Sequence, residues 1–157
     1  MIPILYPVNA LAPPSVVTTT GAAAGFPAAR LYDGDPGLLW RDTVAGTRDV
    51  TVDCGAPRTI NTVIVGAGHN LAGLTVEVLS GASAGGVTSR TTFTAGVSTV
   101  PHRQTFTAAT DRWWVVRITS PSLAPAVPEL VLSLGVPFPS MPVLSANFAR
   151  WVSYSSR

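Results

Sequence analysis

The side chains that could perform catalysis in this sequence are few and scattered. Eight carboxylates and two histidines occur in 157 residues, and His69 and His102 lie in the segments GAGHN and PHRQ, which are typical of loops. The sequence has no serine nucleophile elbow, HExxH zinc motif or phosphate-binding loop. Glycoside hydrolysis needs two carboxylates about 5 to 10 Å apart, and no spacing here indicates such a pair. We therefore predict that the protein is not an enzyme.

One pair of carboxylates is spaced so that both groups could contribute to a metal site. Asp33 and Asp35 are two residues apart in the segment RLYDGDPGLLW, across a turn rich in Gly and Pro, so both carboxylates can converge. Calcium prefers six to eight oxygen ligands from carboxylates and backbone carbonyls. The alternative is that Asp33 caps a turn and Asp35 begins one, as aspartates often do.

Composition argues against several kinds of partner. The net charge is +2, and the ten basic residues, all arginine, are scattered from Arg30 to Arg157, whereas nucleic-acid binding needs a clustered basic stripe. A single cysteine, Cys54, allows no disulfide within the chain. The first residues lack the basic and apolar regions of a signal peptide, and no run of about 18 apolar residues occurs. We expect no nucleic-acid partner, no membrane span and no signal peptide.

Short strand patterns fill the middle of the chain. Segments rich in Val and Thr alternate with connections rich in Gly and Pro, and about seven or eight such strands are typical of a sandwich or jelly roll. We predict an extended N-terminal arm or edge segment over residues 1–14, a β-sandwich over residues 15–135 and a C-terminal tail over residues 136–157.

Aromatic side chains are unusually frequent in the predicted tail. Aromatic groups outside a closed sandwich need a surface that buries them. They either fold back on their own domain or dock onto another subunit, and for the second case the predicted assembly residues are Phe138, Phe148, Trp151 and Tyr154.

The order of motifs along the chain resembles that of discoidin-like, or galactose-binding-like, domains. The resemblance covers roughly residues 15–135. Within that family, the sequence is similar to the short, Ala- and Gly-rich domains of bacteriophage tail and virion proteins. It implies an all-β fold, a jelly-roll sandwich of two antiparallel sheets, with Trp40 and Cys54 in the core. The motifs are Ala28–Ala29, Asp33–Gly34–Asp35 leading to Trp40, VTVDCG (50–55), INTVIV (60–65), RWWVVRI (112–118) and ELVLSLG (129–135).

The resemblance also implies a cofactor, because related carbohydrate-binding domains often hold a structural calcium ion between this loop and the Glu that opens the last strand. That position maps to Asp33, Asp35 and Glu129. In the alternative, Glu129 pairs with an arginine such as Arg30 or Arg41.

Sugar-binding positions follow from the resemblance too, since such modules bind sugars or lipids with loops at one end of the sandwich. The candidates here are His69 and Asn70 in one loop and His102 and Arg103 in another. No loop in the sequence offers an exposed Trp or Tyr on which a sugar ring would stack.

Two functions fit these features. We expect a non-catalytic virion structural protein, tail-associated by its resemblance, which is made in the host cytoplasm and assembles through its terminal arms. Its partners would be other virion subunits, in a homo-oligomer or a larger symmetric assembly. The alternative is a carbohydrate-binding module that attaches a particle or an enzyme to a cell-surface glycan.

Overall fold

Antiparallel strands make up most of the computed structural model, which describes Ile4–Leu5 and residues 8–137. Within these residues no helix is long and apolar enough to cross a membrane. The elements are β1 (Ile4–Leu5), β2 (Val16–Thr19), a 3₁₀ turn (Ala28–Leu31), β3 (Trp40–Arg41), β4 (Gly46–Val65), β5 (Thr75–Gly81), β6 (Thr88–Thr94), β7 (His102–Ser120), β8 (Ala126–Val127), β9 (Leu130–Ser133) and β10 (Val136–Pro137).

The two longest strands, β4 and β7, each run through both sheets of the sandwich. Residues 46–53 of β4 pair with residues 113–120 of β7, in a sheet that continues to β2 on one side and to β5 and β6 on the other. Residues 58–65 pair with the first half of β7 and with β9. The register shifts between these halves, where Gly55 has a φ of +73° that favours glycine. At this corner the paired strands β4 and β7 pass from one sheet of the sandwich into the other.

The predicted all-β fold with two antiparallel sheets is confirmed. Alternating side chains of β4 and β7 point between the layers, and Val52, Trp114 and Ile118 are almost completely buried there. Trp40 is also fully buried, as the resemblance implied. Cys54 lies in the same core, and its burial raises the pKa of the thiol, so the group behaves as a small apolar side chain.

Ion pairs on the outer face tie β4 to β7. Arg112 donates two hydrogen bonds of 2.7 Å to the Asp53 carboxylate, and Arg117 donates two of 2.9 Å to Asp49. The hydrogen bonds from Arg112 lower the pKa of Asp53 to about 2. Because both pairs join residues of neighbouring strands, they favour the observed register more than they add stability at such an exposed position.

The N-terminal boundary differs from the predicted one. Ala10 and Leu11 are buried in the core, and the Ala10 amide donates a hydrogen bond of 2.7 Å to the Leu132 carbonyl. The side-chain oxygen of Asn9 accepts hydrogen bonds from the amides of Leu11 and Leu132. The predicted arm of residues 1–14 is therefore not wholly outside the sandwich, since its second half packs against β9.

The C-terminal prediction is only partly within the described residues. Strand β10 pairs antiparallel with β1, so Val136 lies opposite Leu5 and Pro137 opposite Ile4. The four predicted assembly residues lie outside the described part of the chain, and assembly through them stays a prediction: Phe138, Phe148, Trp151 and Tyr154.

Candidate functional site

The loops at one end of the sandwich bring together the segments that the sequence singled out. Val65, the last residue of β4, lies opposite His102 at the start of β7 and opposite Leu130 at the start of β9. The residues just beyond these strand ends, Gly66 and Glu129, are therefore neighbours. Strand pairing alone thus places the GAGHN loop beside the first residue of the ELVLSLG motif.

A shallow cleft of about 330 Å³ lies at this end, and we name it the Glu129 cleft. Its walls come from the DGDPG loop, the end of β4, the residue before β7 and the start of β9. The lining residues are apolar apart from Glu129. The lining residues are Pro36, Ile64, Gly66, Ala67, Pro101, Pro128, Glu129 and Val131.

Gly66 allows the close approach that fixes Glu129 in the cleft wall. The Gly66 amide donates a hydrogen bond of 2.8 Å to the Glu129 carbonyl. A Cβ atom added at Gly66 would lie 3.0 Å from the Glu129 Cβ and 3.2 Å from its carbonyl oxygen, which is tighter than ordinary contact. Glycine is therefore the residue type that lets the two backbones meet here.

The Glu129 side chain is half-buried. Within the described part of the chain, no hydrogen bond or ion pair involves its carboxylate. The alternative expectation, an ion pair with Arg30 or Arg41, is therefore not what the structure shows, and Arg30 instead pairs with Asp33 at 3.2 Å. Glu129 is therefore a cleft residue whose carboxylate has no partner within the described residues.

The aspartates of the DGDPG loop organise its turns. The Asp33 carboxylate accepts a hydrogen bond of 3.0 Å from the Asp35 amide, and the Asp35 carboxylate accepts one of 2.9 Å from the Gly37 amide. Among the described residues, no group of three or more His, Cys, Asp or Glu side chains could hold a metal ion. The residues present therefore do not fit the calcium site predicted from Asp33, Asp35 and Glu129.

His69 and Asn70, predicted to contact a sugar, instead shape the loops. His69 is only 1% exposed, its Nδ1 accepts a hydrogen bond of 3.0 Å from the Leu71 amide, and burial lowers its pKa. The Asn70 side chain donates to the Ala124 carbonyl and accepts from the Ala126 amide. The His69 ring is therefore buried and bonded to its own loop, and Asn70 joins two loops, while sugar contact by either residue stays a prediction.

His102 and Arg103 have different environments although they are adjacent. The His102 ring stacks on Phe93 with centroids 4.8 Å apart, and its Nδ1 accepts a hydrogen bond from the Gly96 amide. Arg103 is exposed and lies directly opposite Ile64, a lining residue of the Glu129 cleft. Side chains opposite each other on paired strands share a face, so Arg103 of the predicted set borders the cleft.

Comparison with known proteins connects this architecture to solved structures. No family model and no curated protein matches the chain. A chitosan-binding module from a chitosanase/glucanase of Paenibacillus sp. IK-5 is 22% identical, with a TM-score of 0.66, over 81% of this chain and 99% of that one.

Two further solved structures have the same architecture. The family 32 carbohydrate-binding module of AlyQ, in complex with 4,5-unsaturated mannuronic acid, is 20% identical with a TM-score of 0.63, over 74% of this chain and 92% of that one. The family 32 module of NanJ from Clostridium perfringens, in complex with galactose, is 16% identical with a TM-score of 0.65, over 75% and 92%. The fold is the discoidin-like jelly roll. At these identities the likeness shows the fold alone.

The apolar walls of the Glu129 cleft were not predicted from the sequence, although the positions of three prolines could have indicated them. Three lining prolines each lie next to a residue predicted for a site: Pro36 follows Asp35, Pro101 precedes His102, and Pro128 precedes Glu129. In the sequence such prolines only indicate turns. The fold is needed to show that all three line the same cleft.

Among the described residues that line the cleft, Glu129 is the one titratable residue, whereas glycoside hydrolysis uses two carboxyl groups on opposite sides of the bond. Apolar walls with a few polar groups are the usual composition of a small-ligand site.

Proposed function

We propose that this chain is a non-catalytic carbohydrate-binding module that holds part of a glycan in the Glu129 cleft. The observation that carries the proposal is the convergence of proline and valine walls, an unpaired carboxylate and a neighbouring arginine at the loop end of a jelly roll. Solved modules with this fold, described above, bind chitosan, an unsaturated uronic acid and galactose.

The chemistry of the cleft fits a sugar ring. A pyranose presents C–H groups on its faces and hydroxyl groups around its edge. Pro101, Pro128 and Val131 offer apolar contact to the C–H groups, and the Glu129 carboxylate accepts hydrogen bonds from hydroxyl groups. Hydrogen bonds to a charged group contribute about 1.5–3 kcal/mol each, so one carboxylate and a shallow apolar wall support modest affinity.

The expectation of a phage virion protein draws no support from the fold or from the solved structures named above. Its proposed assembly residues lie in the tail, outside the described part of the chain. It therefore stays a prediction from the sequence, and the carbohydrate-binding alternative is the function that the Glu129 cleft supports.

Filling the cleft should abolish binding. The experiment screens the purified chain against a panel of neutral, acidic and amino-sugar oligosaccharides, and then titrates the best ligand by calorimetry. Ala67 is half-buried in the cleft wall, so Ala67→Leu places three more carbons in the space that a sugar ring would occupy. We expect Ala67→Leu to weaken binding by about tenfold or more, which corresponds to the loss of one or two good contacts.

The matched control is Ala82→Leu. Ala82 is exposed in the hairpin between β5 and β6, at the other end of β5 from the cleft loops, so the same substitution should leave the affinity unchanged. Absence of binding to every member of the panel, or equal affinities of the two variants, would contradict the proposal.

A further inference from the structure

We infer that His69 is a pH-sensitive switch: its neutral ring holds one wall of the Glu129 cleft in place, and protonation of the ring releases that wall. His69 lies in the connection between β4 and β5, residues 66–74, which we name the His69 loop. Gly66 and Ala67 of this loop line the cleft. The inference concerns the shape of the cleft and does not depend on which ligand the cleft binds.

The contacts of the His69 ring favour one protonation state. The residue is 1% exposed, and its Nδ1 accepts a hydrogen bond of 3.0 Å from the Leu71 amide. A ring nitrogen that accepts a hydrogen bond carries no proton, so the ring is neutral with its proton on Nε2. Nε2 is also buried and has no hydrogen-bond partner among the described residues. A proton on Nδ1 would set two donors against each other, so the loop has to rearrange to accept it.

Hydrogen bonds connect the His69 loop to the other walls of the cleft. The Gly68 amide donates one of 2.7 Å to the Ser98 carbonyl, in the connection that leads to the lining residue Pro101. At the start of the loop, the Gly66 amide bonds to the Glu129 carbonyl as described above. Rearrangement around His69 therefore moves residues that form the cleft.

The charged groups around the loop do not favour a protonated ring. On the elements packed against the loop, the titratable side chains are His102 and Arg103 at the start of β7 and Glu129 just before β9, and the connections before β7 and β8 carry none. Burial lowers the pKa of His69, and the nearby charge of His102 lowers it further. Within the described residues, Glu129 forms no ion pair with His69 that would offset these effects.

The direction of the pH effect follows from the lowered pKa. The neutral ring stabilises the closed loop above the ordinary histidine pKa of about 6.5, and this contribution is lost as the pH falls below that value. At about pH 5 the closed loop is disfavoured relative to the open one by up to about thirtyfold, the limit for a closed form that binds no proton. Histidine is the side chain that ordinarily titrates in this range, and the sequence has two.

Amide hydrogen exchange, followed by nuclear magnetic resonance, tests the switch. Protection factors of the Gly68 and Leu71 amides are measured on the wild-type chain at about pH 7.5 and about pH 5, each corrected for the intrinsic exchange rate. We expect both to fall about tenfold or more at the lower pH, while protection of the Val116 amide in the buried middle of β7 changes much less. Unchanged protection of Gly68 and Leu71, or an equal fall at Val116, overturns the inference.

His69→Asn removes the titrating ring but keeps an acceptor. Asparagine commonly accepts a hydrogen bond from the amide two residues on, as His69 does from Leu71. We expect equal protection of the Leu71 amide at both pH values in this variant. The matched control is His102→Gln, which removes the other histidine and should keep the loss of protection. Circular dichroism verifies that both variants are folded.

Two results with the variants overturn the inference. One is an undiminished loss of Leu71 protection in His69→Asn, and the other is disappearance of the loss in His102→Gln. If His69→Asn does not fold, the wild-type chain and His102→Gln still decide the outcome. The glycan panel tests the proposed function separately, so loss of protection without binding of any glycan supports the switch and contradicts the proposed function alone.

Discussion

Replacing Trp40 with alanine is expected to lower the free energy of unfolding by about 3–5 kcal/mol. Trp40 is fully buried, and its indole N–H donates a hydrogen bond of 3.2 Å to the Gly21 carbonyl. It also sits on β3 opposite Val127 of β8, so it links the loop before β4 to the loop before β9. Alanine would leave a cavity and an unpaired carbonyl. Urea denaturation followed by circular dichroism measures the change.

Leu38→Ala is the control for this substitution. Leu38 lies two residues earlier and is 36% exposed, so its truncation should change the unfolding free energy by no more than about 0.5 kcal/mol. A loss below about 1 kcal/mol for Trp40→Ala would show that the residue is not the core member that the structure describes.

Leu11→Ala is expected to destabilise the protein by about 2–5 kcal/mol. Leu11 is fully buried among the core residues, although it lies in a proline-rich segment that the sequence predicted to be an arm. Truncation would remove apolar contacts between this segment and the sandwich. Hydrogen bonds of Asn9 and Ala10 to the backbone of β9 hold the segment in place and restrict its collapse into the cavity.

The companion variant is Val8→Ala. Val8 is 56% exposed three residues before Leu11, so its truncation should have little effect. Similar and small effects of both substitutions in urea denaturation would favour the predicted arm outside the sandwich over the packed segment.

Much of the fold was predictable because its strands carry a strong period. Val50 and Val52 alternate with polar residues on β4, which is the pattern of a sheet covered on one face, and Trp114, Val116 and Ile118 share one face of β7. The passage of both strands through two sheets was not predictable, since it depends on a corner near Gly55 that looks like any other turn.

The N-terminal segment escaped prediction for a different reason. Its burial depends on hydrogen bonds that the Asn9 side chain donates to the Leu130 carbonyl and accepts from the Leu132 amide, more than 120 positions away on β9. A segment with prolines and no clean period gives no local sign of such long-range pairing, and Leu11 alone does not show whether it faces a core or a partner.

The Glu129 cleft was predictable in position but not in the roles of its side chains. The sequence placed loops with His69, Arg103 and Glu129 at strand ends, and the fold brings those loops to one end. It could not show that the His69 ring turns inward to accept a hydrogen bond from the Leu71 amide. Whether a loop side chain faces solvent or its own backbone is decided by tertiary contacts that a single sequence does not reveal.

The most direct test of the central claim is a nuclear magnetic resonance titration. The ¹⁵N-labelled chain is titrated with the oligosaccharide that binds most tightly in the panel, and the amide shifts are mapped residue by residue. We predict that the largest shifts fall on Gly66, Ala67, Glu129 and Val131, around the Glu129 cleft. Shifts confined to the hairpin between β5 and β6, or no shifts at saturating sugar, would contradict it.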